Sequence, residues 1–393
     1  MVEEFVREAA RYLEQAAGVR AEAVGVAPGR LEILGNHTDY NGGYIMSAAI
    51  DRRTAVAVSP RSDGTLRIFS QTLDDSCSAS IFEPAPDPDK PWADYVKGVV
   101  VELRKAGVAM NGLDAAIIST IPLGSGLSSS AALEVATAMA VGAIHPFRME
   151  PMQLAKLARR AENEFVGVGC GILDQFSAVF GSEDSFLFLD CLTLRHQTIR
   201  VDSDDLALVV CNSMTRHDLV EGEYNRRRSE CFSAARKLGR AMGKDTRFLR
   251  EISSADLEKF GDVLTDGERK RATHVILENE RVLAGLRAAK RNDLPGLGRL
   301  VLESHRSSRD CFENSCPELD LLVESAETAP GCLGAKLSGG GFGGWTVNLV
   351  IRNRVSEFQK TIDQQFAARF KVHPEMLVCS IGEGARAVSL GTG

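Results

Sequence analysis

Residues 113–144 read "LDAAIISTIPLGSGLSSSAALEVATAMAVGAI", and few folds accommodate that order of side chains. An apolar, strand-like run delivers Gly124 and Gly126 into a tight turn, and Ser128, Ser129 and Ser130 then open a long apolar helix. The first N–H groups of a helix have no intrahelical partner, and the helix dipole adds positive character there, so such a junction favours an anion. A serine N-cap beside flexible glycines accounts for one serine and leaves two without a reason. Residues Gly124, Ser125, Gly126, Leu127, Ser128, Ser129 and Ser130 are therefore candidates for a phosphate loop. It is not a Walker A loop, because no G-x-x-x-x-G-K-[ST] occurs in the chain.

Two further stretches carry more polar chemistry than a structural loop needs. "GRLEILGNHTDYNGG" (29–43) runs from an apolar lead-in straight into Asn36, His37, Asp39 and Asn41, the pattern of a segment that grips a small polar ligand. "GGGFGG" (339–344) formally contains G-x-G-x-x-G, yet it precedes a strand rather than a helix and so fails the context of a dinucleotide site. Two glycine loops near strand ends favour a nucleotide held by the chain. In "RAENEFVGVGCGILDQFSAVFG" (160–181), Glu162 lies near a helix end and Asp174 follows after three glycines. A carboxylate beside a phosphate loop is a candidate Mg²⁺ ligand, and a second one can orient or deprotonate an attacking hydroxyl.

A chain of 393 residues exceeds one average domain, so two are expected, with a boundary near residue 200 where the pattern turns helix-rich: 1–200 and 201–393. Strands are expected at 54–58, 65–69, 185–191 and 206–213, and helices at 93–106, 222–242, 268–289 and 294–309. Pro151 opens another helix, and the proline-rich 83–92 reads as an extended surface loop. A net charge of −7 argues against nucleic acid or an anionic membrane as a partner. Nine scattered cysteines without a C-x-x-C pair read as reduced thiols. The acidic amphipathic start "MVEEFVREAARYLEQAAG" lacks the features of a signal peptide. A cytoplasmic location follows as the expectation.

Taken together, "APGRLEILGNHTDYNGG", "PLGSGLSSSAALE" and "GAKLSGGGFGGWTV" resemble the three motifs of the GHMP kinase superfamily and, within it, of the galactokinase family. The likeness extends to "PWADYVKGVV", "VGCGILDQFSAVFG", "HDLVEGEYNRRRSEC" and "SCPELDLLV". It implies an α+β fold with an N-terminal ribosomal-protein-S5-like domain, a ferredoxin-like C-terminal domain, and ATP and sugar in the cleft between them. It further implies ATP-dependent phosphorylation of galactose on its anomeric hydroxyl, with Mg²⁺. By the same resemblance Arg30 and Asp174 match the catalytic pair, and Ser130 and Glu162 match the metal ligands. Asn36, His37, Asp39, Gly171 and Tyr224 match sugar contacts, while Trp92 matches an aromatic residue near adenine. A monomer is favoured. The chain departs from the family where Asn36 replaces a usual Glu at a position that contacts the sugar's O6. Leu173, Trp345, Gly169 and Cys311 also differ from the usual residues. Two alternatives stay open: kinase action on a C6-modified hexose such as galacturonate, and a sugar- and ATP-binding regulator without catalysis.

Overall fold

The computed structural model describes residues 2–145, 148–216 and 220–391. Its elements in chain order are α1 (Val2–Ala17), β1 (Ala23–Leu34), β2 (Tyr44–Pro60), β3 (Thr65–Ser70), β4 (Asp75–Ser80), α2 (Pro91–Lys105), β5 (Leu113–Ser119), α3 (Ser129–Ile144), α4 (Pro151–Arg160) and α5 (Leu173–Phe180). There follow β6 (Ser185–Asp190), β7 (His196–Arg200), β8 (Leu206–Arg216), α6 (Val220–Ala241), α7 (Ser254–Phe260), α8 (Asp266–Lys290) and α9 (Leu294–Ser307). The chain closes with α10 (Pro317–Thr328), β9 (Cys332–Leu337), β10 (Gly343–Ile351), α11 (Val355–Phe370), β11 (Met376–Cys379) and β12 (Arg386–Ser389). His217, Asp218 and Leu219, at the head of the "HDLVEGEYNRRRSEC" segment, lie outside the described residues.

Two compact units emerge, and neither is continuous in sequence. One holds Met1–Arg30, Ala49–Glu183 and Gly382–Gly393; the other holds Leu31–Ala48 and Asp184–Ile381. A single cut near residue 200 does not separate units built this way, because β1 and β2 each pass from one unit into the other and the C-terminus returns to the first.

In the first unit the strands lie in the order β12-β1-β2-β5-β3-β4; the β1–β12, β2–β5 and β3–β4 pairs are antiparallel and the β3–β5 pair is parallel. The acidic amphipathic start forms α1 as its pattern predicts. Ala9 and Leu13 pack on Val24, Val26, Ala55, Ala57, Ala116 and Ile118, residues that alternate along β1, β2 and β5. Phe5 and Tyr12 are only partly covered at the edge of that cluster.

The second unit contains an antiparallel four-stranded sheet in the order β11-β8-β10-β9. Leu322, Val323 and Ala326 of α10 and Phe358, Ile362 and Phe366 of α11 pack with Ala207, Val209 and Cys211 of β8. Two glycines bring α9 against β9. A Cβ on Gly298 would stand 1.9 Å from the Leu333 carbonyl oxygen, and one on Gly334 would stand 2.2 Å from the Gly298 carbonyl oxygen.

No helix among the described residues is long and apolar enough to cross a membrane. Gly298→Ala is expected to lower stability by roughly 1–3 kcal/mol, because backbone rather than a flexible side chain blocks the methyl group. Gly142→Ala, in helix α3 with nothing within 4 Å of its Cβ position, is expected to be neutral or stabilising. Calorimetric melting of the two variants checks the contrast, and equal melting temperatures would contradict the close helix–strand approach.

Candidate active site

Strand β1 is buried along its whole length, yet it carries Arg30 and Glu32. A buried charge must be paired, and the partner of Arg30 builds the first site. Its Nε and Nη2 lie 2.9 and 2.7 Å from Asp174 Oδ1, and its Nη1 donates to the Gly126 carbonyl oxygen at 2.6 Å. The other carboxylate oxygen, Oδ2, accepts from the Ser128 hydroxyl at 2.6 Å. Asp174 sits in the first turn of α5 and Ser128 at the N-cap of α3. One guanidinium thus ties strand, glycine loop and catalytic-type carboxylate together.

The loop itself is shaped for close approach. Gly124 and Gly126 have φ of 65° and 66°, and Ser128 adopts the same left-handed region at φ 62°. Ser128 does not cap its helix; its hydroxyl is spent on Asp174. Ser125 turns inward to donate to the Pro122 carbonyl oxygen at 2.6 Å, and Leu127 is fully buried. A cavity of about 130 Å³ joins Ser129 and Ser130 to Trp92, Tyr95, Leu123 and Leu133. Trp92 is fixed by its indole N–H, which donates to Asp75 at 3.1 Å.

Glu162 lies 5% exposed in a π-helical turn that continues α4 over Ala161–Val166, a distortion frequent at functional sites. Its carboxylate accepts from Gln175 Nε2 at 2.6 Å and from Cys170 Sγ at 3.2 Å, and the Ser130 hydroxyl also bonds it. Burial raises its pKa, and the nearby Asp174 charge raises it further. Gln175 Nε2 also donates to Glu134, 3.0 Å away, whose carboxyl is pushed well up by burial and by Glu162. Gly171 lies in the loop just before α5.

The second site is the loop 35–43, within the other unit. His37 is a non-glycine residue at φ 60°. Its ring stacks on Phe312 at 4.0 Å, with Tyr40 and Tyr224 at 5.9 and 5.5 Å. Asn314 Nδ2 lies 3.0 Å from Nε2, and the Tyr40 hydroxyl lies 3.0 Å from Nδ1. Burial holds His37 well below its usual pKa, so the neutral ring is the resting form. Asp39 is half-buried in the short helical turn Asp39–Asn41.

Asn36 is turned inward. It is 1% exposed; its amide donates to Glu32 and to the Gly339 carbonyl oxygen, and its Oδ1 accepts from Ser308 and Asn314. Sequence reasoning passed over Glu32, Gln175, Ser308, Asn314 and Lys336. A charged residue within an apolar strand was a signal for Glu32; nothing local to Ser308 or Asn314 marks them, since the Asn36 they bond lies more than 270 positions away.

Models of the galactokinase galactose-binding signature, the GHMP kinases N terminal domain and the GHMP kinases C terminal match residues 12–60, 94–182 and 286–366. Galactokinase of Roseiflexus sp. (strain RS-1) is 40% identical over 94% of each chain, and that of Chloroflexus aggregans is 41% identical over 92% of each. The crystal structure of Lactococcus lactis galactokinase complexed with galactose is 31% identical, with a TM-score of 0.89 over 99% of this chain and 100% of that one. The chain belongs to the galactokinase family. As a galactokinase-family member it has the α+β fold of the GHMP kinases, and it is a sugar kinase phosphotransferase.

In this family member two buried groups behind the loop 35–43 set an acid limit. His274 donates through Nε2 to the Asn36 carbonyl oxygen at 3.0 Å, and burial depresses its pKa to about 4. Burial alone would raise Glu278, but Arg281, His274, Lys336 and the Gly35 N–H together outweigh it and lower it to about 2. Between the ordinary histidine value of about 6.5 and 4, the unfolded chain binds a proton that folded His274 refuses. Stability therefore falls with pH through that window, and Glu278 extends the loss from its ordinary value of 4.5 down to 2. His274→Gln is expected to show a smaller drop in melting temperature from pH 7 to pH 5 than the parent. An equal drop would mean that other groups carry the dependence.

Proposed function

We propose that this chain transfers the γ-phosphoryl group of ATP to the C1 hydroxyl of galactose, and that Arg30, Asp174 and the 124–130 loop form the reaction centre. The observation that carries the reading is the placement of Asp174. Its carboxylate is fixed by a buried guanidinium and by a hydroxyl at the mouth of an anion-binding helix. In the reaction the C1 oxygen forms a bond to the γ-phosphorus as the bond to the bridging oxygen of ADP breaks. Asp174 orients the C1 hydroxyl and receives its proton, and Arg30 holds that carboxylate and the loop carbonyl in one place. Such positioning, with charge neutralisation, supplies most of the acceleration in phosphoryl transfer.

The N–H groups at the start of α3, with Ser128, Ser129 and Ser130, face the triphosphate in this reading. Trp92 and Tyr95, which line the same cavity as Ser129 and Ser130, take the base. The donor set fits magnesium. Ser130 and Glu162 offer one hydroxyl and one carboxylate already in contact, and burial with the Asp174 charge leaves that carboxylate in want of a cation. Among the described residues no group of three His, Cys, Asp or Glu side chains is arranged for a metal, as befits an ion that takes its remaining ligands from phosphate and water. Ser130 and Glu162 would hold Mg²⁺ here, and the ion would supply neutralisation of the charge that develops on the transferred phosphoryl group. Galactose is held by the loop 35–43 with Asp39, Tyr224 and the His37 ring, while Asn36 supports that loop from behind.

Asp174→Asn, which keeps an acceptor for Ser128, is expected to lower kcat by about 10²–10⁴ while ATP binding by calorimetry persists. Near-normal ADP release with galactose in that variant would remove Asp174 from the mechanism. Glu162→Gln is expected to raise the Mg²⁺ concentration for half-maximal rate about tenfold or more with little change in the KM for galactose. An unchanged Mg²⁺ dependence would take Glu162 out of the metal site.

A further inference from the structure

Behind the loop 35–43 lies a buried polar network that the reaction does not use. Lys336 of β9 is fully buried, and its Nζ lies 2.6 Å from Glu32 Oε1. The same oxygen accepts from Asn36 Nδ2 at 3.3 Å. That amide also donates to the Gly339 carbonyl oxygen at 2.9 Å. Asn36 Oδ1 in turn accepts from Ser308 Oγ and Asn314 Nδ2, each at 3.3 Å. Asn314 Nδ2 reaches His37 Nε2 at 3.0 Å and the Gly340 carbonyl oxygen at 3.1 Å. The Asn314 backbone carbonyl accepts from Phe342 N–H at 2.6 Å. Two amides thereby bind the end of β1, the loop 35–43, the 308–314 segment and the glycine loop 339–342 into one piece.

We propose that Lys336, Glu32, Asn36 and Asn314 form a clamp that presets the loop 35–43 for sugar, with Glu32 and Asn36 acting as one pair. The pair and the clamp deepen the function proposed above and rest on it for the identity of the sugar. A buried ion pair is rarely the cheapest way to stabilise a core; its common use is to fix one arrangement among several. Here the arrangement fixed is that of two loops with left-handed residues, His37 at φ 60° and Phe342 at φ 59°. Glu32 already uses the positive charge of Lys336. The residue at 36 must therefore donate to that carboxylate and to the Gly339 carbonyl oxygen, which an amide does and a second carboxylate cannot. A neutral residue at position 36 is the consequence of a charged one at 32.

The clamp makes these four positioning residues, so their loss is expected in sugar binding more than in turnover. Asn36→Glu places two carboxylates against one lysine. It is expected to raise the KM for galactose about tenfold or more, with the KM for ATP within about twofold of the parent. Glu32→Gln/Asn36→Glu returns one negative charge to the pair and is expected to bring the galactose KM back to within about threefold. Asn314→Asp, which presents acceptors to three acceptors, is expected to mimic Asn36→Glu. Steady-state kinetics and melting temperatures of all variants decide the matter. The clamp is overturned if Asn36→Glu leaves the galactose KM unchanged, or lowers the melting temperature without affecting it. It is also overturned if the double variant is as impaired as the two single variants combined. Should the parent protein fail to phosphorylate galactose, the proposed acceptor falls, while the melting-temperature cycle over Glu32 and Asn36 still tests their pairing.

Discussion

A guanidinium inside a protein cannot be left alone, and Arg30 is 7% exposed in a strand with no exposed residue. Removing a charge from water costs several kcal/mol unless ionic and hydrogen-bonding partners return it. Asp174 and the Gly126 carbonyl oxygen are those partners, so the strand, the first turn of α5 and the glycine loop have one mutual placement that leaves no charge stranded. Gly29 lets the chain come near enough: a Cβ there would stand 2.6 Å from the Leu127 carbonyl oxygen. The Arg30 N–H donates to that same oxygen at 3.1 Å. Electrostatic necessity and backbone clearance act on the same few atoms, and the Asp174 carboxylate is positioned as a by-product of satisfying a buried cation.

Each of the three polar or glycine-rich motifs also holds one non-glycine residue in the left-handed region: His37, Ser128 and Phe342. Such a residue costs of order 1 kcal/mol and persists only where its surroundings over-determine it. His37 is held by its stack on Phe312 and by two ring hydrogen bonds. Ser128 is held by its bond to Asp174, and Phe342 by its N–H on the Asn314 carbonyl. Local propensity opposes all three conformations, and tertiary bonds impose them. Loops built this way lose little freedom when a ligand arrives, which lowers the cost of binding.

The periodic parts of the chain were legible because burial leaves a period in the sequence. Helices expected at 222–242, 268–289 and 294–309 appear as α6, α8 and α9 with ends shifted by a few residues, and the strands at 54–58 and 65–69 lie within β2 and β3. The glycine-serine junction does place Ser129 at the first turn of a helix, and "GGGFGG" does lead into a strand. What the sequence concealed were pairings over long separations. Arg30 and Asp174 are 144 positions apart, and Glu32 and Lys336 are 304 apart. No window of local periodicity contains both members of such a pair. Two local readings also changed with tertiary context. Ser128, read as part of a phosphate loop, spends its hydroxyl on a carboxylate, and Asn36, matched to a sugar contact by resemblance, faces the interior with its amide engaged on both sides.

The negative charge gathered behind the phosphate loop completes the physical picture. Glu134, Gln175 and Glu162 form a buried row in which one amide nitrogen serves two carboxyl groups, with Asp174 near enough to raise the pKa of both. Neither the Glu134 Oε1 nor the Gln175 Oε1 has a hydrogen-bond partner, although both atoms are buried. A core selected for stability alone would not retain these features, since unsatisfied buried acceptors and like charges each cost free energy. In the function proposed above, a divalent cation held by Glu162 would relieve the repulsion that burial intensifies. Gln175 Nε2 bonds both Glu134 and Glu162 and so ties the Glu162 carboxyl, within the π-helical turn, to the buried row.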